Sequence, residues 1–341
     1  MRVAVYYNNH DVRVEERPRP IAGPGEMVIR IEASGICGSD VMEWYRVPKA
    51  PMVLGHEFAG RIEEIGTGVT RFHVGERVMA THHVPCNACR YCLTGRESVC
   101  DTLRSTTIDP GGFSEYARLP ALNVDRGTFS LPEEVGYEEA TFVEPLACAV
   151  RGQRMARMGA GWSLAVLGSG VAGILHIQLA RARGARRIFA TDVHPFRLEA
   201  ARRMGADRVL DAREDVPERI QKENGGRLAD LVVVCTGAIP AMTQAFRCVD
   251  RGGAILLYAP PAPGVTIPVP LHELWKDGIT LVHSYAAPPA DLLTALDLIA
   301  ARRVDVTHLV THRFGLTEVG EAFRIVAEGA DSLKVLLNPH P

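Results

Sequence analysis

The chain has 341 residues, 47% of them hydrophobic and 23% charged, with a net charge of -2. This is globular composition with room for two domains, and it lacks the basic field that nucleic-acid binding demands. The opening Met1-Arg2-Val3-Ala4-Val5 reads as a strand rather than a leader, and the most apolar run, Ser163 to Ala180, is broken by Gly168, Gly170 and Gly173, so no membrane span is expected. Eight cysteines without a secretory leader point to reduced thiols and metal sites, and cytoplasm is the expected location.

Residues 1 to about 145 read as β-rich. Val28 to Ala33 alternates like a half-buried strand, and Glu57 to Ile65 and Arg77 to Ala80 read as further strands. Between them lie Gly35-Ile36-Cys37-Gly38-Ser39-Asp40 and Gly55-His56-Glu57. A thiol, an imidazole and a carboxylate from two nearby turns suit a divalent metal with one open position. Cys86-x2-Cys89-x2-Cys92-x7-Cys100 offers four thiolates at short spacing, the donor set of a closed, structural zinc shell. The adjacent His82 and His83 are expected to serve surface or packing roles, and Cys148, Cys235 and Cys248 to be small buried residues.

Past Pro145 the pattern changes. Strands are expected at Trp162 to Leu167, Arg187 to Thr191, Asp207 to Leu210, Asp230 to Cys235, Ala254 to Tyr258 and Ile279 to Ser284, interleaved with helices. Six strands alternating with helices predict a doubly wound parallel sheet. Gly168-Ser169-Gly170-Val171-Ala172-Gly173 follows the first strand and opens a helix, and Asp192 ends the second strand roughly 20 residues on. Gly168 permits a tight turn, Gly170 lets backbone approach a pyrophosphate and Gly173 allows close helix–strand packing. Asp192 would accept hydrogen bonds from ribose hydroxyls and repel a 2′-phosphate, which favours NAD; Arg197 and His194 are the counter-signal. After Pro288-Pro289 come a helix, a strand at Leu309 to His312, a helix around Val319 to Ala327 and a final strand, Lys334 to Leu337, expected to return to the first domain.

Taken together these motifs resemble the medium-chain, zinc-dependent alcohol and polyol dehydrogenase family, in its sorbitol- and threonine-dehydrogenase-like branch. The likeness spans the chain and includes Val143-Glu144-Pro145-Leu146 and Leu309 to Phe314. It implies an α/β protein: a GroES-like β-rich catalytic domain over 1–146 with a zinc lobe at about 86–100, a Rossmann domain over 147–288, and a return segment over 289–341. It places the active site in the cleft between the domains.

The resemblance also implies roles. Cys37 and His56 match catalytic zinc ligands, Asp40 the residue that orients the imidazole, and Ser39 the hydroxyl that takes the substrate proton. The third ligand is Glu57 or Glu144; Glu57 is favoured, with Glu144 acting beside it through water or substrate. Thr236, Tyr258, Ser284 and Tyr285 join Gly168, Gly170, Val171, Ala172, Gly173, Asp192 and Arg197 as cofactor contacts. Trp44 and Tyr45, with Arg46 and Lys49, are expected to rim the substrate pocket, and Arg46 and Lys49 leave a phosphorylated or carboxylated substrate open. The implied enzyme carries two zinc ions per subunit, one catalytic and one structural. It moves a hydride between NAD and a secondary alcohol, with a polyol, sugar or cyclitol preferred over an amino alcohol and over zinc-free quinone or enoyl reduction. A homodimer or homotetramer is implied.

Two departures from the family stand out. Met42 occupies the place where many members carry a proton-relaying histidine, and methionine cannot carry a proton. The segment from Val41 to Leu54 is short, which predicts a wider pocket mouth.

Overall fold

The computed structural model describes residues 1–329 and 331–340. They divide into two compact units. The first comprises Met1–Ala147, Ala286–Ala301 and the segment from Val306 onward; the second comprises Cys148–Tyr285 and Arg302–Asp305. No helix among the described residues is long and apolar enough to cross a membrane.

In the first unit one sheet runs Val310–Gly315, Lys334–Asn338, Met27–Gly35, Glu57–Ile65, Arg77–Ala80 and Thr128–Ser130, with Tyr116–Leu119 also paired to Met27–Gly35. Met27, Ile29 and Ile31 alternate into a core with Phe58, Ile62 and Val78, the half-buried pattern expected of such strands. A smaller sheet joins Arg2–Asn8 to Asp11–Glu16 and Met52–Val53. These last two strands are short: one alternates charge and valine over six residues, and the other is two residues long. The closing strand lies antiparallel to Met27–Gly35, with Leu336 opposite Gly35 and Leu337 opposite Ser34. That pairing joins the end of the chain to the turn that carries Cys37.

In the second unit the parallel strands lie in the order Arg208–Asp211, Arg187–Asp192, Ser163–Leu167, Ala229–Val234, Val249–Leu257 and Thr280–His283. Numbered along the chain this is 3-2-1-4-5-6, the order of dinucleotide-binding sheets. The central strand Ser163–Leu167 is buried throughout, as a strand covered on both faces must be.

Candidate metal and dinucleotide sites

Cys37 and Asp40 sit on a short 3-10 turn, Gly38–Val41, that follows strand Met27–Gly35. His56 immediately precedes strand Glu57–Ile65, and Gly35 pairs with Glu57 across the sheet. The ligand atoms of Cys37, His56 and Glu57 lie within 4.8 Å of one another. The backbone N–H and the hydroxyl of Ser39 both donate to Cys37 Sγ, each at 3.4 Å. Asp40 is wholly buried; its Oδ2 accepts the Cys37 N–H at 3.0 Å, and its Oδ1 lies 3.5 Å from His56 Nδ1. That contact leaves the other ring nitrogen for a metal.

The donor set calls for a cation. Burial pulls the His56 pKa down, but the negative charges of Asp40 and Cys37 and their hydrogen bonds outweigh it and hold the imidazole well above its ordinary value. Asp40, conversely, is pushed up by burial but held low by His56, by Arg46 and by the Cys37 N–H. A divalent ion bound here would compete with a proton for the imidazole.

Two cations compensate the carboxylates. Lys334 Nζ, on a side chain 2% exposed, pairs with Glu57 Oε2 on one 1% exposed. A Cβ on Gly35 would lie 2.8 Å from Glu57 Oε2 and 3.3 Å from Lys334 Nζ, so a glycine here leaves room for the pair. Arg46 gives Nε to the Ser39 carbonyl at 3.0 Å, and Nη2 to Ser39 Oγ at 3.1 Å and Asp40 Oδ1 at 3.0 Å. Arg46 is therefore bound into the turn, and it also lines a cavity beside His56, as expected of a pocket-rim residue. Trp44 is 40% exposed against Tyr45, and Lys49 Nζ stands 3.8 Å from the Tyr45 ring centroid. Glu144 is buried but falls outside the three-ligand group.

His82 takes a packing role beside the ligand group. Its ring lies 3.7 Å from that of His83 and 5.0 Å from that of His56, centroid to centroid. It also lines a cavity beside His56. Burial, then the neighbouring His83, His56 and Arg46, keep it uncharged, with a pKa well below the ordinary histidine range. The partners Lys334 and His82 were missed by sequence reasoning. Only an otherwise unexplained lysine in an apolar closing strand signalled the first.

The four cysteines of the lobe also converge. Sγ separations are 3.5 Å for Cys89–Cys92, 3.7 Å for Cys86–Cys100 and 3.9 Å for Cys86–Cys92. Sulfurs placed about 2.3 Å from a tetrahedral zinc lie about 3.8 Å apart, whereas a disulfide needs about 2 Å. The lobe therefore fits a four-thiolate zinc. Cys248 is buried, and Cys148 and Cys235 are half-buried.

In the second unit Gly168 has φ +97° and Gly170 caps helix Val171–Ala182, whose first turn holds Val171 and Ala172. A Cβ on Gly173 would meet the Gly168 carbonyl oxygen at 2.0 Å, so only glycine permits the close approach of helix to turn. Asp192 Oδ2 accepts the Ser169 N–H at 2.8 Å; Oδ1 accepts Val193 and His194 N–H at 2.8 and 3.0 Å. The acid is thereby fixed to the glycine turn. Thr236, Tyr258 and Ser284 with Tyr285 each follow the carboxyl end of a parallel strand, the side on which such sheets bind nucleotides. Arg197 lies in helix Pro195–Arg203, just beyond Asp192.

Residues 23–127 match the model of the alcohol dehydrogenase GroES-like domain, and residues 172–301 that of zinc-binding dehydrogenases. Sorbitol dehydrogenase of Gallus gallus is 30% identical, over 99% of this chain and 96% of that protein. The chain belongs to the medium-chain, zinc-dependent alcohol dehydrogenase family. L-threonine 3-dehydrogenase of Rhizobium johnstonii is 32% identical over 95% of this chain and 94% of that one. A structure from Sinorhizobium meliloti 1021, described as a zinc-binding dehydrogenase bound to NADP, superimposes with a TM-score of 0.89 at 26% identity, covering 99% of each chain. A medium-chain dehydrogenase of this kind is an oxidoreductase that acts on CH–OH groups. Its chain combines the GroES-like fold with a Rossmann-type sheet.

Proposed function

We propose that the protein is an NAD- and zinc-dependent dehydrogenase of secondary alcohols, with a neutral polyol, sugar or cyclitol as substrate. The carrying observation is the convergence of Cys37, His56 and Glu57 beside the Ser39 hydroxyl. Cys37 Sγ, His56 and the Glu57 oxygen not engaged by Lys334 would hold the metal. Gly168 to Gly173 and Asp192 would hold the dinucleotide. Zinc supplies Lewis acidity toward the substrate oxygen, and the nicotinamide accepts a hydride. Ser39 Oγ, next to the Cys37 sulfur, is placed to take the alcohol proton. Arg46 donates to that oxygen and cannot accept a proton, so the proton leaves Ser39 by water or cofactor hydroxyls rather than through Arg46 or Met42.

Asp192 supports NAD over NADP, because its carboxylate would face a 2′-phosphate with like charge. Asp192→Ala is expected to narrow the NAD:NADP ratio of kcat/KM by about tenfold or more; an unchanged ratio assigns the selection to other groups. Zinc content is expected at two per subunit. Cys100→Ser is expected to remove one of them and to render the segment 86–100 protease-sensitive, while the metal at Cys37 is retained; metal analysis with limited proteolysis checks both. The exposed edge strand Thr280–His283, with Trp275 80% exposed beside it in sequence, supports a homo-oligomer formed through this edge. Eight thiols without a disulfide suit a reducing cytoplasm. Screening polyols, cyclitols and L-threonine for NAD reduction tests the whole reading, and turnover of threonine alone overturns the substrate class.

A further inference from the structure

The hairpin of Arg2–Asn8 and Asp11–Glu16 reaches, with one side chain at its tip, the turn that carries the metal-ligand group. Its ladder breaks register between Tyr6 and Asn8, and Asn9 lies beyond the last pair, Asn8 with Asp11. The Asn8 side-chain oxygen accepts the His10 N–H at 2.9 Å, which shapes the tip as an Asx turn. Asn9 Nδ2 donates to the Val41 carbonyl at 2.9 Å, and its Oδ1 accepts the Tyr6 hydroxyl at 2.9 Å. A carbonyl can only accept, so the amide nitrogen must face Val41. The Asn9 N–H also donates to Glu43 Oε1 at 3.2 Å, in a more exposed contact.

Val41 ends the 3-10 turn Gly38–Val41, which holds Ser39 and Asp40, and Glu43 opens the helix Glu43–Arg46. Carbonyls at the end of a helical turn lack partners within it. Asn9 supplies one for Val41 and holds the residues on both sides of Met42. Arg46 grips the same turn at Ser39 and Asp40. The far side of Asn9 is rigid. Tyr6 is wholly buried, with its ring centroid 5.7 Å from that of Phe323, in a core that also contains Val5, Ile36 and Val335. Side chains in such close-packed surroundings keep fixed rotamers. Tyr6 therefore gives Asn9 a fixed reference, which Asn9 passes to the turn.

We propose that Asn9 is a positioning residue for the proton-accepting hydroxyl, an inference resting on the dehydrogenase reading above. It fixes the Val41 end of the turn, and through the turn the Ser39 Oγ beside Cys37 Sγ. None of its three hydrogen-bond partners belongs to the metal-ligand group.

Asn9→Asp keeps the size of the side chain and the oxygen that accepts Tyr6, but turns an acceptor toward the Val41 carbonyl. In the zinc-loaded variant, kcat with NAD for the best of sorbitol, xylitol and 2-butanol is expected to fall about 10- to 100-fold, the cost of a small misplacement of a reacting group. KM for NAD is expected to stay within about threefold, because the cofactor makes no contact that depends on this turn. The solvent deuterium isotope effect on kcat is expected to rise, because transfer of the alcohol proton to Ser39 becomes the slower step. Tyr6→Phe, which removes only the hydroxyl that steadies Asn9, is expected to give a smaller change in the same direction, and it decides the matter if Asn9→Asp does not fold. A kcat close to that of wild type overturns the assignment, and so does a loss of kcat with an unchanged isotope effect. If the wild type oxidises none of these alcohols, the dehydrogenase reading fails, and hydrogen exchange then tests the positioning without substrate. Faster exchange of the amides of residues 38–46 in Asn9→Asp than in wild type, with residues 168–173 unchanged, upholds it; equal exchange overturns it.

Discussion

Cys37→Ser is expected to lower kcat by about 1,000-fold or more while NADH binding, followed by fluorescence, is preserved. Cys37 supplies the one sulfur in the group formed with His56 and Glu57. Its loss weakens the metal that polarises the substrate oxygen, a contribution of several kcal/mol to the barrier, and each 1.4 kcal/mol is about tenfold in rate. It also removes the acceptor for two Ser39 donors, so the hydroxyl that takes the proton loses its orientation. The Rossmann-type unit contains none of these residues, and for that reason nucleotide binding is expected to survive. Activity within tenfold of wild type would show that catalysis does not depend on a metal at Cys37.

Lys334→Met is expected to destabilise the metal-free protein by about 3–5 kcal/mol, the usual cost of leaving one member of a buried ion pair without its partner. Glu57 and Lys334 are almost inaccessible to water, so the carboxylate cannot recover its lost partner by hydration. Zinc brings positive charge to the same carboxylate. The loss is therefore expected to shrink when the protein is metal-loaded. Urea unfolding of wild type and variant, each with and without zinc, reads both effects. The same loss in both metal states would mean that Glu57 does not sense the metal, which would return Glu144 as the third ligand. The nearby Phe142 ring, with its centroid 5.4 Å from Lys334 Nζ, adds a cation–π contact that methionine also forfeits.

Much of the architecture was legible from local pattern. The strands Glu57–Ile65 and Arg77–Ala80 have the bounds that their alternation and flanking turns predict. The strands of the parallel sheet fall within a few residues of their apolar runs, except that Val249–Leu257 begins five residues earlier than the run from Ala254 suggests. Those five include Gly252 and Gly253, and pairing with Ala229–Val234 carries the strand through an irregular register there. Tertiary pairing overrode local propensity at that point.

The chemistry of the site divides along a similar line. Cys37 with Ser39 and Asp40, His56 with Glu57, the four cysteines and the glycine turn each lie within a few residues of one another. Their spacing alone therefore says which donors can meet and what they can bind. The groups that tune those donors come from elsewhere. Lys334 is 277 positions from Glu57 and reaches it only because the closing strand pairs beside Gly35. His82 lies 26 positions beyond His56, and only the packing of the first unit brings their rings together. Arg46 is near in sequence, but its direction is set by a folded turn that offers a carbonyl, a hydroxyl and a buried carboxylate at once. The donor sets for metal and nucleotide are thus properties of short segments, whose geometry the local backbone imposes. Which charges are neutralised, and which hydrogen-bonding groups are left for a substrate, depends on side chains that meet only when distant strands pair and exclude water.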